Sequence, residues 1–364
     1  MLLYRARLSL TYSIIFCKNN KIQIQIFAAT KLLKKMLIVR LFKSSQTPPL
    51  FLVPVITLAL VLFNIYTQGV VVIRDMNHGV LYALLLDSNI AGIKWAVPSL
   101  IFVLITIQAF LFNALINRFE VLYKSSNIPV IIFIILYGLI PGFLALSPFL
   151  LVNTLMPVAL WKIFTLYKSE RPVTRAFDTG LVFSLMILCY LPMALLVVFM
   201  YLCIAILRPF NWREWVASAL GLLTPAILLF TILFVADKLH LRNTEVNTDS
   251  WLPVIRLQSL SWRFILPALV MAILLFLSFL KLYANYSKNV IRMRKFQLCF
   301  MLLLIFLLLI ILIPVQQSAS RFILLIPPVC LFLSYYFIAI RKVWWFELLS
   351  IVLVGLIVMG YWNL

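Results

Sequence analysis

Long apolar runs separated by short charged segments dominate this chain. Residues 97–115, 264–280 and 298–313 contain no charged side chain. A helix needs about 20 apolar residues to cross the hydrocarbon core of a bilayer. Only helices and closed barrels satisfy their backbone polar groups inside lipid, and continuous apolar runs favour helices over the alternating pattern of a barrel. The sequence therefore predicts an all-α, polytopic membrane protein whose first partner is the lipid bilayer.

Basic residues far outnumber acidic ones. The chain has 31 Lys and Arg against 10 Asp and Glu, a net charge of +21, although 65% of its residues are hydrophobic. In a soluble protein this charge would indicate nucleic-acid binding. In membrane proteins, Lys and Arg accumulate in the cytoplasmic loops. We therefore predict no nucleic-acid partner.

The sequence gives little support to metal or cofactor chemistry. Its five cysteines form no CxxC pair, and four lie in apolar runs, where Cys acts as a small hydrophobe. Two histidines, His78 and His240, are too few for a His-rich metal site, and the sequence has no glycine-rich phosphate loop. We predict neither a metal nor a cofactor.

Residues 1–35 differ from the rest of the chain. They are basic, contain no acidic residue and are only patchily apolar, without the compact core and cleavage site of a signal peptide. Met36 then opens MLIVRLFKSSQTPP, with basic residues just before the first span. We expect translation to begin at Met36 and residues 36–364 to form a single membrane domain. The alternative is a basic amphipathic arm on the membrane surface.

Ten apolar segments are candidate spans. They cover residues 50–66, 96–116, 129–146, 148–164, 179–207, 216–236, 264–280, 297–314, 322–340 and 343–361. Segment 179–207 is ambiguous, because it is long for one span and short for two. Pro192 lies in its middle, where proline breaks or kinks a helix.

The distribution of charge favours one interpretation of that segment. If 179–207 crossed once, the basic loop at 281–295 would lie opposite the basic loops at 118–124 and 168–175, against the positive-inside rule. A hairpin of two short helices places all three loops in the cytoplasm. We therefore predict about 10–11 transmembrane helices with paired short helices, a cytoplasmic N-terminus and a periplasmic C-terminus. One tilted span remains the alternative.

Three charged residues are candidates for a site. Arg74 and Asp75 follow the first span on the predicted outer face, where a carboxylate can act as a general base or hold a metal, or can pair with Arg74 in a solvated loop. Arg321 lies at a span boundary, where arginine either binds phosphate or anchors the helix by snorkelling. Pro327 and Pro328 interrupt the helix that follows, and broken helices often line cavities.

Residues 208–215, RPFNWREW, combine charged and aromatic side chains. Two interpretations are open for this segment. It is either a functional site or an interfacial aromatic belt at the start of a helix.

The chain resembles two families. MLIVRLFKSSQTPP, NALINRFEVLYKSS and LRPFNWREW are similar to segments of an uncharacterised family of Bacteroidota inner-membrane proteins, which implies an inner-membrane location but no activity. The paired short helices, Asp75 in the first outer loop and RFILLIPP at 321–328 resemble GT-C class membrane glycosyltransferases. That resemblance implies sugar transfer from a polyprenyl-phosphate donor, with Asp75 as the base and Arg321 and Arg74 as donor contacts.

Three functions remain open: a non-enzymatic envelope protein such as an assembly partner, a lipid-linked sugar transferase or polymerase, and a transporter. Whether the chain is an enzyme is therefore open too. An enzyme of the second kind needs Asp75, whereas a scaffold tolerates its loss. A transporter depends instead on polar groups within the membrane, such as Asn113, Asn153 or Thr224.

Overall fold

The described part of the chain is helical. The computed structural model describes residues 48–73, 79–87, 95–237, 262–312, 319–339 and 343–362. Within these ranges there are twelve α-helices and no β-strand, with one isolated bridge between Val72 and Leu146. Eight helices are long and apolar enough to cross a membrane, and three apolar helices are shorter. The prediction of an all-α polytopic membrane fold is confirmed, while the predictions for residues 1–35 and Met36 lie outside the described residues.

The helices are numbered in chain order. They are α1 Pro48–Gln68, α2 Val80–Asp87, α3 Ala96–Arg118, α4 Ile128–Gly138, α5 Pro148–Thr165, α6 Pro172–Cys189, α7 Leu196–Leu207, α8 Trp212–Val235, α9 Trp262–Asn285, α10 Ile291–Leu312, α11 Ile326–Ala339 and α12 Val343–Trp362. Short 3-10 helices cover Pro141–Leu144, Leu191–Leu195, Tyr286–Lys288 and Ala319–Leu325.

The segment after α3 contacts the beginning of α10. Arg292 forms an ion pair with Glu120. The Gln297 side-chain amide donates a hydrogen bond to the Val121 carbonyl over 3.1 Å. Two basic segments that are far apart in the sequence therefore lie at the same end of the helix bundle.

Two further basic segments join that end. Arg208 Nη1 donates to the carbonyls of Leu166, at 3.2 Å, and Ser169, at 3.1 Å, so α7 ends beside the beginning of α6. Lys295 Nζ lies 3.5 Å from the Leu207 carbonyl. We call this the basic end. Because α6 leaves the basic end and α7 returns to it, the predicted hairpin at 179–207 is confirmed, and the alternative of one tilted span is wrong.

The first helix of the hairpin begins earlier than predicted. α6 starts at Pro172 rather than near 179, because proline fits the first turn of a helix, where its missing amide hydrogen is not needed. Its acidic residue Asp178 pairs with Lys162 of α5 at 2.8 Å. The helix breaks at Tyr190, whose backbone is extended, just before the 3-10 helix that contains Pro192.

The span predicted at 129–146 is also interrupted. α4 ends at Gly138 after 11 residues, a rise of only about 16 Å. Pro141 disfavours helical geometry in the residue before it, and Ile140 is accordingly extended. The chain continues through the 3-10 helix Pro141–Leu144 into an extended Ala145.

Backbone hydrogen bonds define the opposite end of the bundle. Ile73 N donates to the Leu146 carbonyl at 2.9 Å, and Leu146 N donates to Val71 at 3.1 Å. Gly79 N donates to the Cys189 carbonyl at 2.9 Å. Leu146 precedes α5 and Leu166 follows it, so this far end lies about 27 Å from the basic end.

Burial distinguishes the central helices from the peripheral ones. Twelve of the 14 residues of α11 are buried, against five of the 24 residues of α8. The exposed apolar faces of α1, α8 and α9 are typical of helices in contact with lipid. Pro327 and Pro328 lie in the first turn of α11 and do not interrupt it, in contrast to the prediction. α11 therefore lies at the centre of the bundle, and the helices around it shield it from lipid.

Candidate functional site

Arg321 lies at the far end, in the 3-10 helix Ala319–Leu325 that precedes α11. Only 6% of the residue is exposed. A snorkelling arginine keeps its guanidinium in water, whereas this side chain is enclosed by protein. A buried guanidinium beside irregular backbone is an arrangement that can bind phosphate, provided that the ligand can reach it.

Two interruptions of helical structure meet around Arg321. The 3-10 helix Ala319–Leu325 packs against the 3-10 helix Pro141–Leu144 and against α5. Ser147 caps α5, since its hydroxyl accepts a hydrogen bond from Leu150 N at 3.3 Å. Within a membrane, irregular backbone is tolerated where protein or a polar cavity surrounds it. This junction is therefore the part of the far end best suited to hold a polar ligand.

The predicted site residues Arg74 and Asp75 lie outside the described residues, as does His78. The chain on either side of them is described. Ile73 pairs with Leu146, two residues after the 3-10 helix Pro141–Leu144, and Gly79 pairs with Cys189 at the end of α6. The structure thus holds both flanks of residues 74–78 at the far end, where Arg321 lies. A common site of Asp75 and Arg321 remains a prediction.

Tyr82 of α2 fixes the first of these flanks. Its side chain is fully buried, and its hydroxyl lies 2.8 Å from the Ile73 carbonyl and 3.1 Å from the Leu146 carbonyl. The Asn64 side-chain amide donates to the Leu144 carbonyl at 3.4 Å. Sequence reasoning missed Tyr82, although a tyrosine in the apolar segment after His78 could have suggested a buried hydroxyl that needs a partner.

A neutral polar cluster lies inside the bundle. Tyr137 donates to Gln108 Oε1 at 2.5 Å and accepts from Asn153 Nδ2 at 2.6 Å. Gln108 Nε2 donates to Thr154 Oγ1 at 2.6 Å and to the Leu150 carbonyl at 3.0 Å. Gln108, Tyr137 and Asn153 are fully buried. Because these groups bind one another, the cluster links α3, α4 and α5 and presents no charge to a transported ion.

The other polar residues proposed for transport have separate partners. Asn113 Nδ2 donates to Asn127 Oδ1 at 3.4 Å. The Thr224 hydroxyl donates to the Leu220 carbonyl of its own helix at 2.7 Å. These contacts are those of ordinary helix packing and helix-internal hydrogen bonding.

The RPFNWREW segment stabilises the basic end. Asn211 caps α8 by accepting a hydrogen bond from Arg213 N at 3.2 Å. Glu214, only 1% exposed, lies 3.4 Å from Arg208 Nε. Arg208 also binds the carbonyls that precede α6, so the segment connects three helices. The structure favours the interpretation as a helix start over that as a site.

Neither a cluster of possible metal ligands nor similarity to a known protein gives a further indication of function. In the described ranges, no three His, Cys, Asp or Glu residues lie together as metal ligands would. Comparison with protein-family models, with curated proteins and with solved structures finds no match. The fold therefore defines the class, a multi-helix integral membrane protein. The two family resemblances stay predictions.

Proposed function

We propose that this integral membrane protein acts in bacterial cell-envelope biogenesis, at the inner membrane, as a GT-C-like transferase that uses a polyprenyl-phosphate-linked sugar. One observation carries the proposal. Arg321 is buried where two helix interruptions meet, at the end of the bundle that holds both flanks of residues 74–78. Arg321, together with the carboxylate that we propose for Asp75, suits a reaction with a phosphate leaving group.

The expected division of roles follows the GT-C resemblance. Asp75 accepts the proton of an acceptor hydroxyl, whose oxygen attacks the anomeric carbon of the sugar. The bond between that carbon and the donor phosphate breaks, and polyprenyl phosphate leaves with the electron pair. Arg321 and Arg74 bind the phosphate as its negative charge develops.

The internal polar cluster gives less support to transport. Its groups are neutral and bonded to one another, whereas transport pathways commonly carry ionisable residues that face the pathway. A non-enzymatic assembly partner is the alternative that the following experiment separates from the transferase.

The test is a mass-spectrometric profile of polyprenyl-linked sugars and envelope glycans in a deletion strain. We expect a polyprenyl-linked sugar to accumulate and wild-type protein to clear it. Asp75→Asn should fail to clear the accumulated sugar even at equal membrane abundance. Loss of a general base lowers the rate by roughly 10²–10⁴-fold. Asp237→Asn is the matched control, since Asp237 is an exposed carboxylate just after the C-terminus of α8.

Two results would contradict the proposal. An unchanged profile in the deletion strain would remove the transferase function. Full complementation by Asp75→Asn would remove the role of its carboxylate and favour the assembly partner.

A further inference from the structure

A cavity of about 330 Å³ lies at the basic end, remote from Arg321. It opens to the surface between the last turn of α7, the 3-10 turn that follows α9 and the first two turns of α10. The lining residues are Ile206, Tyr286, Ile291, Arg294, Lys295 and Leu298. Its size falls at the lower end of the range of small-molecule sites, roughly 300–1,000 Å³.

Two cations face this cavity, and neither has a carboxylate partner among the described residues. The described ion pairs engage Lys162, Arg208 and Arg292, but neither Arg294 nor Lys295. Uncompensated positive charge that is partly removed from water is costly, so a site of this kind favours an anion.

Each of the two cations lies beside an aromatic ring, and Lys295 Nζ also donates to the Leu207 carbonyl at 3.5 Å. The Arg294 guanidinium lies 5.9 Å from the centre of the Tyr286 ring, and Lys295 Nζ lies 5.7 Å from that of Tyr167. Arg294 Nε is buried and has no hydrogen-bond partner among the described residues. The described residues therefore satisfy the Arg294 guanidinium only in part.

The remaining wall of the cavity is apolar. Ile206, Ile291 and Leu298 line it beside the two cations. Free phosphate would gain nothing from these side chains, whereas a lipid would place its headgroup on the cations and the start of an acyl chain on the apolar wall. The combination favours an amphiphile with a phosphate group.

We propose that this cavity binds the phosphate group of an anionic membrane lipid. Basic pockets between transmembrane helices commonly hold such headgroups, and arginine binds phosphate oxygens through two N–H groups at once. Inorganic phosphate shares the chemistry of the headgroup but not the contacts of the chain. The inference is independent of the far-end activity, since the two regions have no residue in common.

The experiment uses the full-length protein in phosphatidylcholine nanodiscs that contain increasing fractions of phosphatidylglycerol. Native mass spectrometry of the released protein measures the retained lipid, and inorganic phosphate is titrated in parallel. We expect phosphatidylglycerol to be retained, and Arg294→Gln and Lys295→Gln each to weaken retention about fivefold. Lys288→Gln, an exposed residue of the neighbouring turn, is the control and should match wild type.

Each result decides one part of the proposal. Competition by millimolar inorganic phosphate would retain the phosphate site but assign it to the free ion. Unchanged retention in both variants, or equal retention of phosphatidylcholine, would overturn it. If Arg294→Gln fails to fold, Arg294→Lys and Lys295→Gln provide the test, because Arg294→Lys keeps the charge and should lose less affinity than Lys295→Gln.

Discussion

Tyr137 shows how a single buried hydroxyl organises the interior of the bundle. It uses its one donor on Gln108 of α3 and accepts from Asn153 of α5. The sequence gives no sign of this cluster, because its members are 16 to 45 residues apart and each resembles an isolated polar residue in an apolar run. Only the packing of three helices brings them together.

We therefore expect Tyr137→Phe to destabilise the protein. The change leaves Gln108 Oε1 and Asn153 Nδ2 with poorer partners in a dry interior and should lower the free energy of unfolding by about 1–2 kcal/mol. Unfolding in mixed micelles measures the difference. Tyr66→Phe, at a residue that is 88% exposed, is the control and should change little. Equal effects of the two substitutions would contradict a structural role for the cluster.

The candidate site was only partly predictable at the scale of residues. Arg321 is recognisable in the sequence as an isolated charge at the start of an apolar run. Its burial is not recognisable, because it depends on contact with the 3-10 helix Pro141–Leu144, which lies far earlier in the chain. Tyr82 was missed for the same reason.

At the scale of elements, α6 and α8 approach each other closely through two glycines. A Cβ atom on Gly180 would overlap the Ser218 carbonyl, and one on Gly221 would overlap the Phe177 carbonyl. Small residues permit such backbone contact between membrane helices, where no hydrophobic effect drives association. The contact holds α6, the first helix of the hairpin, to α8, the helix that follows the hairpin.

Gly221→Ala should separate these two helices. The overlapping atoms belong to the backbone and cannot rotate away, so we expect a loss of about 1–3 kcal/mol in stability. Thermal unfolding in detergent measures it. Gly355→Ala in α12 supplies the comparison, because nothing lies within 4 Å of a Cβ there. A Gly221→Ala protein as stable as Gly355→Ala would contradict the close packing.

The elements themselves were predicted unevenly. The charge pattern predicted the hairpin correctly, because it constrains every crossing at once. The extent of the apolar run predicted that the segment begins at 179, whereas α6 begins at Pro172. The prediction was late because it excluded the charged residues Arg175 and Asp178 from the helix. It also extended α4 across Pro141, where the extended Ile140 interrupts the helix.

At the scale of the whole molecule, the bundle has two chemically different ends. The contacts of Arg292 with Glu120, of Arg208 with Leu166 and of Lys295 with Leu207 gather the basic segments at one end. The far end holds Arg321 and the flanks of residues 74–78. The positive-inside rule predicts that the basic end faces the cytoplasm. The transferase proposal needs the far end on the outer face, and the lipid proposal needs the basic end in contact with the inner leaflet.

Labelling of single cysteines from one side of the membrane tests this two-ended arrangement most directly. In a background without the five native cysteines, Lys288→Cys marks the basic end and Asp237→Cys marks the far end. With the outer membrane permeabilised and the inner membrane intact, we predict that an impermeant maleimide labels Asp237→Cys and spares Lys288→Cys until the inner membrane is broken. Labelling of both cysteines from the same side would contradict the arrangement with two opposite ends. Labelling of Lys288→Cys alone would show that the basic end faces outward, opposite to the prediction.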